Sequence, residues 1–251
     1  TYFGGSDMDY VCAITCDSAN DIYFSGLSYS NNKIAKLPAY QDTLAAPLNA
    51  FVAKFSHAGV QQWGTYYPAD YFASVYIDKY QDVNLAGVSR AATNVATGGA
   101  WQMANNGDGD GVFVKFNKSG QRLWATNYGG SKLDIFNAIV ADKAGNVFLS
   151  GISESTSGIA TAGSHQTTHG GGFYDAILLR AKVDSMLYVQ QPFYDTGICL
   201  TATGAAIQVG YIVSRTFNTG NIFKVELSDA GGSFASPVVI GTASGNASGY
   251  I

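Results

Sequence analysis

The chain has 251 residues, 47% of them apolar and only 13% charged, with 30 glycines, 16 tyrosines and a net charge of −4. The 14 Lys and Arg are scattered, which excludes the basic stripe of a nucleic-acid binder. No apolar run approaches the roughly 18 residues of a membrane-spanning helix, so no membrane insertion is expected.

That length permits one large domain or two modest ones with a substantial core. Charge well below the roughly 25% of an average soluble domain, with abundant Gly, Ser, Thr and Asn, describes a turn-rich, all-β chain. The first residue is Thr1, with no signal peptide before it, so the chain is expected to begin after processing or inside a longer protein.

In chain order, residues 1–26 read TYFGGSDMDYVCAITCDSANDIYFSG, and residues 126–151 read TNYGGSKLDIFNAIVADKAGNVFLSG, matched without a gap. A middle copy, TYYPADYFASVYIDKYQDVNLAG at 65–87, lacks three residues where the others read GGS. In each copy an Asp opens a first strand (Asp9, Asp70, Asp134) and another closes it (Asp17, Asp78, Asp142). The turns DSAND, DKYQD and DKAGN follow, where Asp, Asn and Gly supply side-chain caps and positive φ, and then a second strand. After a polar loop comes a third strand, NAFVAKF, GVFVKF or DAILLRA. The turns SHAGVQQW and NKSGQRLW lead into a fourth strand that enters the next copy. Trp63 and Trp124 are equivalent and are expected to plug between neighbouring sheets.

Gly26, Gly87 and Gly151 recur at spacings of 61 and 64, as do Gln41, Gln102 and Gln166. A period near sixty with four strands fits a propeller blade with one long loop, a solenoid being the alternative; helical repeats lack the 3.6-residue apolar pattern they require. Cys12 and Cys16 lie on one face of a strand, too far apart for a disulfide. Their counterparts Ala73, Ile77, Asn137 and Ala141 are mostly small or apolar, so these thiols are expected to fill a core. Cysteine count does not decide the compartment.

The run YFGGSDMDYVCAITCDSANDIYFSGLSYS, then Gln41, then NAFVAKFSHAG, resembles the SBBP-type β-propeller repeat, whose pattern is roughly YLGG…D…I…D..GN.Y..G.T.S, then Q, then DAFVAK……G. The resemblance covers residues 1–185, as copies at about 1–64, 65–125 and 126–185; the middle copy departs at Pro68 and Ala69. It implies three four-stranded propeller-like blades of a secreted or cell-surface protein and no particular chemistry. Beyond residue 185 the pattern stops. Strand-like runs ICLTA, AAIQVGYIV, NIFKVELS and PVVIG follow, and residues 215–241, with their LSDAGGSF hairpin, resemble an immunoglobulin-like sandwich of secreted Bacteroidetes-type proteins. At 186–251 that domain is short of the roughly 100 residues and seven strands of its class.

Three blades do not close a ring, and open sheet edges seek partners. Either these residues are a piece of a longer chain, or neighbouring subunits complete each other by strand addition into a closed oligomer or a fibre.

Candidate sites are few. Residues 106–111, NGDGDG, have the spacing of half a calcium loop, but Asn117 stands where the bidentate Glu belongs, and a hairpin turn is the better reading. His165 and His169 lack a third ligand, and His57 sits in a hairpin turn. The Asp pairs of each copy lie roughly 26 Å apart along a strand, so they cap turns rather than share an acid–base site. No catalytic residue, cofactor or metal site is assigned. Ser18, Thr43 and Ser185 stand in Asp-Ser/Thr-apolar triplets, as in Bacteroidetes-type O-glycosylation. The expected function is a non-enzymatic extracellular structural or adhesive surface protein, a filament subunit completed by strand exchange with neighbours. The alternatives are a glycan-binding module using Trp101 and Tyr40 as platforms, and a propeller carbohydrate-active enzyme.

Overall fold

The computed structural model describes residues 1–143, 146–181, 187–189, 210–213, 222–227, 238–245 and 249–250. The chain divides into two compact units, Thr1–Val183 and Asp184–Ile251. Every strand pair between named strands is antiparallel, and no helix occurs among the described residues. The expected all-β class holds.

In the first unit, β1 (Asp9–Cys16), β2 (Ile22–Ser28), β3 (Asn49–Phe55) and β4 (Gln61–Tyr67) form one four-stranded meander. A second consists of β5 (Tyr71–Ile77), β6 (Val83–Ser89), β7 (Asp110–Phe116) and β8 (Arg122–Tyr128). The third holds β9 (Asp134–Ala141), β10 (Val147–Ser153) and β11 (Asp175–Ala181). The sheets are separate and do not close on themselves. In the second unit, β12 (Leu187–Val189) and β13 (Gly210–Val213) share a sheet with β16 (Gly249–Tyr250), while β14 (Ile222–Leu227) pairs with β15 (Val238–Ser244). The run ICLTA, Cys199 and most of the LSDAGGSF segment lie outside the described residues.

Side-chain caps set the meander. Asp17 Oδ1 accepts the N–H groups of Ala19 (2.9 Å) and Asp21 (3.0 Å), and Asp78 does the same for Tyr80 and Asp82. Asn20 and Gln81 take the positive φ these turns need, 63° and 67°. The recurrent glycine has a different cause. β1 and β5 each carry a bulge, between Val11 and Ala13 and between Phe72 and Ser74, and the β9–β10 register shifts at Gly151. A Cβ on Gly26, Gly87 or Gly151 would meet the carbonyl oxygen of Tyr10, Tyr71 or Ile135 at 1.8, 2.0 and 1.8 Å. Only glycine tolerates that approach.

The sheets pack face to face, β5 against β1, β2 and β3, and β9 against β5, β6 and β7. Tyr23, Val52, Trp63 and Tyr67 of the first sheet share a buried cluster with Phe72, Leu85, Val114 and Phe116 of the second. Trp63 joins the two as expected: its Nε1 donates to the Lys118 carbonyl at 3.0 Å, and its ring lies over Gly120. Trp124 instead packs on Trp101 and Phe113 of its own sheet and loop. Two further expectations are corrected. Cys12 and Cys16 do not fill a core; both are exposed, because among the described residues no sheet packs on that face of β1. The third sheet has three strands among the described residues, since Leu187–Val189, one period beyond β8, pairs with β13.

Candidate functional site

The recurrent polar residues are occupied in holding loops. Asp9 accepts Gly5 N–H at 2.8 Å, Ser28 Oγ at 2.5 Å and Ser30 Oγ at 2.9 Å. Asp134 makes the same three contacts, with Gly130 N–H at 2.7 Å, Ser155 Oγ at 2.9 Å and Ser153 Oγ. Gln41, Gln102 and Gln166 each donate to a carbonyl two residues on and to the Asn or Asp that opens the third strand. Each Asp pair of a copy is thus split between opposite ends of its strand.

In each of the first two sheets a lysine of the third strand ties down two carboxylates of the hairpin turn. Lys54 Nζ lies 3.0 Å from Asp21 and 3.7 Å from Asp17, and Lys115 Nζ lies 2.8 Å from Asp78 and 3.1 Å from Asp82. Burial raises the Asp82 carboxyl to about 6, with Lys115 opposing and Asp78 reinforcing the shift. Its Oδ2 faces Lys115 without a well-directed hydrogen bond. In the third sheet Asn146 replaces the second acid, and Arg180 donates to its Oδ1 at 3.0 Å. These turns border a cavity of 470 Å³ lined by Asp17, Asp78, Lys115 and Asp142. Lys54 and Lys115 each pair with both carboxylates of their turn, which commits these acids to holding the hairpins.

In the 106–111 loop, Asp110 is buried and accepts Asn106 N–H at 2.9 Å, whereas the Asp108 carboxylate is exposed and 3.9 Å from Lys132. The two carboxylates have separate partners, as in a capped turn. Asp110 Oδ1 has no hydrogen-bond partner; a Cβ on Gly129 would lie 2.5 Å from it and 2.8 Å from Asp134 Oδ2. Burial, with Asp134 reinforcing it, pushes the Asp110 carboxyl up. Both acids are fully buried. His57, His165 and His169 lie in exposed or half-exposed turns and loops; His169 Nδ1 accepts Gly171 N–H at 3.0 Å. No group of three potential metal ligands occurs among the described residues. Tyr40 stacks on the Arg122 guanidinium and lies against Tyr67, and Trp101 leans edge-on against Trp124, both keeping part of the ring exposed. Both aromatics therefore help to pin the long loops. Ser18 and Thr43 are exposed, and Ser185 lies outside the described residues.

What stands out is the apolar surface at the two ends of the sheet array. Phe72 and Val75 of β5 are 0% and 8% exposed against the first sheet, whereas Val11 and Ile14, at the same places in β1, are 56% and 70% exposed. At the far end Leu178 of β11 is 76% exposed, while its counterparts Val52 and Phe113 are fully buried. Sequence reasoning anticipated open edges but not these bare faces. The available signal was the apolar character of all three copies at these positions.

A second missed feature is a tyrosine clasp. Tyr67 lies 5.5 Å from Phe72 and donates to the Val95 carbonyl, while Tyr128 stacks at 6.1 Å on Phe136 and donates to the Ile159 carbonyl. Each tyrosine ends a fourth strand and grips the loop of the next sheet. No family model matches the chain, and no curated protein matches it.

Proposed function

We propose that the chain is a non-enzymatic structural protein of the extracellular or cell-surface kind, whose first unit is an array of SBBP-type, propeller-like blades and whose second is an immunoglobulin-like module. It works by assembling, with neighbouring copies or with the remainder of a longer chain, into a filament or adhesive layer. The observation carrying this reading is the pair of bare apolar faces at opposite ends of the first unit, at positions buried wherever a neighbouring sheet is present. Contiguous exposed apolar surface of this kind marks an interaction site. The recurrent carboxylates are committed to caps and lysine pairs, which supports a scaffold over a carbohydrate-active enzyme.

Electron microscopy and sedimentation of the full chain test the proposal. Concentration-dependent, regularly repeating particles are expected. A strictly monomeric chain that degrades a polysaccharide, with activity lost on changing one Asp, would overturn it. Intact mass of native material tests glycosylation at Ser18, Thr43 and Ser185, each glycan adding a discrete increment.

A further inference from the structure

A slot of 680 Å³ lies between the edge strand β11 and the long loop of the third sheet, bordered by Ile159, Ala160, Gln166, Ala176, Ile177 and Leu178. In the first two sheets the corresponding space holds β4 and β8. There the fourth strand pairs with the third on one side and with the loop on the other. Gln41 N–H donates to Thr65 Oγ1 at 2.8 Å, and Tyr66 N–H donates to the Gln41 carbonyl at 3.0 Å. Gln102 N–H donates to Thr126 Oγ1 at 3.1 Å, and Asn127 N–H donates to the Gln102 carbonyl at 3.1 Å. Among the described residues of the third sheet, the Gln166 N–H has no partner and β11 is a sheet edge. Such an edge presents unpaired backbone groups to any strand of the right length.

The two resident strands end Thr65-Tyr66-Tyr67 and Thr126-Asn127-Tyr128, and the chain itself starts Thr1-Tyr2-Phe3, followed by the same Gly-Gly that follows Tyr128. Phe3 already packs like those closing tyrosines. It lies 5.7 Å from Phe55, as Tyr67 lies 6.0 Å from Phe116, in the same edge-on arrangement. Tyr2, the counterpart of buried Tyr66, is fully exposed.

We propose that the β11 slot receives Thr1–Phe3 of a second copy of this chain as its fourth strand. In the register of the first two sheets, where Val52 faces Thr65 and Phe113 faces Thr126, Leu178 faces Thr1, Ile177 faces Tyr2 and Ala176 faces Phe3. Thr1 Oγ1 accepts the Gln166 N–H. Because Phe3 stays seated on its own first sheet, the same docking brings the Val11 and Ile14 face of one copy onto the Leu178 face of the other. Strand pairing and face burial follow from one geometry. The contact is heterologous, so it closes a ring or runs on as a fibre according to its rotation. This inference rests on the assembly reading above and specifies its joint.

The test uses the full chain and sedimentation. Tyr2→Pro removes the N–H that would meet the Gln166 carbonyl, at a residue whose side chain is fully exposed in the isolated copy. Association weaker by about tenfold or more is expected, with an unchanged melting temperature at concentrations where both chains are monomeric. A peptide copying β8, RLWATNY, is expected to bind the chain and block association. With Cys12, Cys16 and Cys199 changed to Ser, mixing Thr1→Cys and Leu178→Cys chains is expected to give a disulfide-linked pair that either chain alone does not give. Association that persists unchanged in Tyr2→Pro and with saturating peptide would overturn this joint while leaving self-assembly standing. A chain that binds the peptide yet never associates would overturn the second-copy occupant and, with it, assembly by neighbouring copies.

Discussion

Gly87→Ala is the sharpest test of the bulge argument. Gly87 sits in the middle sheet, and an added Cβ would lie 2.0 Å from the Tyr71 carbonyl oxygen and 3.0 Å from the Phe72 Cα. Both are backbone atoms, so relief requires more than a side-chain rotation. The Phe72–Ser74 bulge must open, and Phe72 is fully buried against Tyr67. Alanine's backbone-entropy advantage over glycine, about 0.5–1 kcal/mol, opposes the loss. Overpacking with backbone displacement costs about 3 kcal/mol or more, leaving a net loss of about 2–3 kcal/mol. For a unit of this size that lowers Tm by roughly 4–12 °C. Denaturant titration read by tryptophan fluorescence measures it, since Trp63, Trp101 and Trp124 all lie in the first unit. Gly98→Ala, where nothing lies within 4 Å of the new Cβ, serves as the control. A Gly87→Ala loss no larger than the control's would refute the close-approach explanation for the recurrent glycine.

Asp82 carries a carboxyl raised to about 6 by burial, so its ionisation penalty is absent below the ordinary carboxylate range and grows as pH rises to about 6. Asp82→Asn is therefore expected to gain stability relative to the wild type, by about 1 kcal/mol between mildly acidic and neutral pH; a pH-independent difference in denaturation midpoints contradicts this. Asp134 and Asp9 make the same three hydrogen bonds, but only Asp134 is buried. Alanine at Asp134 should cost about 3 kcal/mol and at Asp9 about 1 kcal/mol in denaturant titrations, and equal costs would argue against burial as the cause. Tyr67→Phe removes the hydroxyl that donates to the Val95 carbonyl in the core and is expected to cost about 1–2 kcal/mol, the Arg122 contact at 3.5 Å sparing part of the loss. A thermal melt that coincides with the wild type's would refute the clasp.

Strand positions in the first unit were legible because turn chemistry is local. Asp17, Asp78 and Asn117 cap their turns with their own side chains, so the caps and the strands between them can be read from residue order. Burial was not legible. The counterparts Ala73 and Ile77 point Cys12 and Cys16 to a core, yet both are exposed, since among the described residues no sheet packs on that face of β1. Exposure there depends on a neighbour rather than on the strand's own residues. That no strand takes the third sheet's fourth position among the described residues was hidden for a related reason, since strand pairing is decided between segments and Leu187–Val189 pairs with β13. The Asp110–Asp134 proximity arises across a junction and has no signature in spacing along the chain.

Among the described residues, only the middle sheet is clamped on both sides, by the first through Trp63 and Tyr67 and by the third through Tyr128 and Phe136. An array of this sort behaves as a row of nearest-neighbour couplings, in which an interior member borrows stability that the terminal members lack. Amide exchange should therefore be slowest in β6 and β7 and progressively faster toward β1 and β11. Appending one more period to either flank would make the present outermost sheet an interior one, so that robustness grows with array length without any change in the individual module.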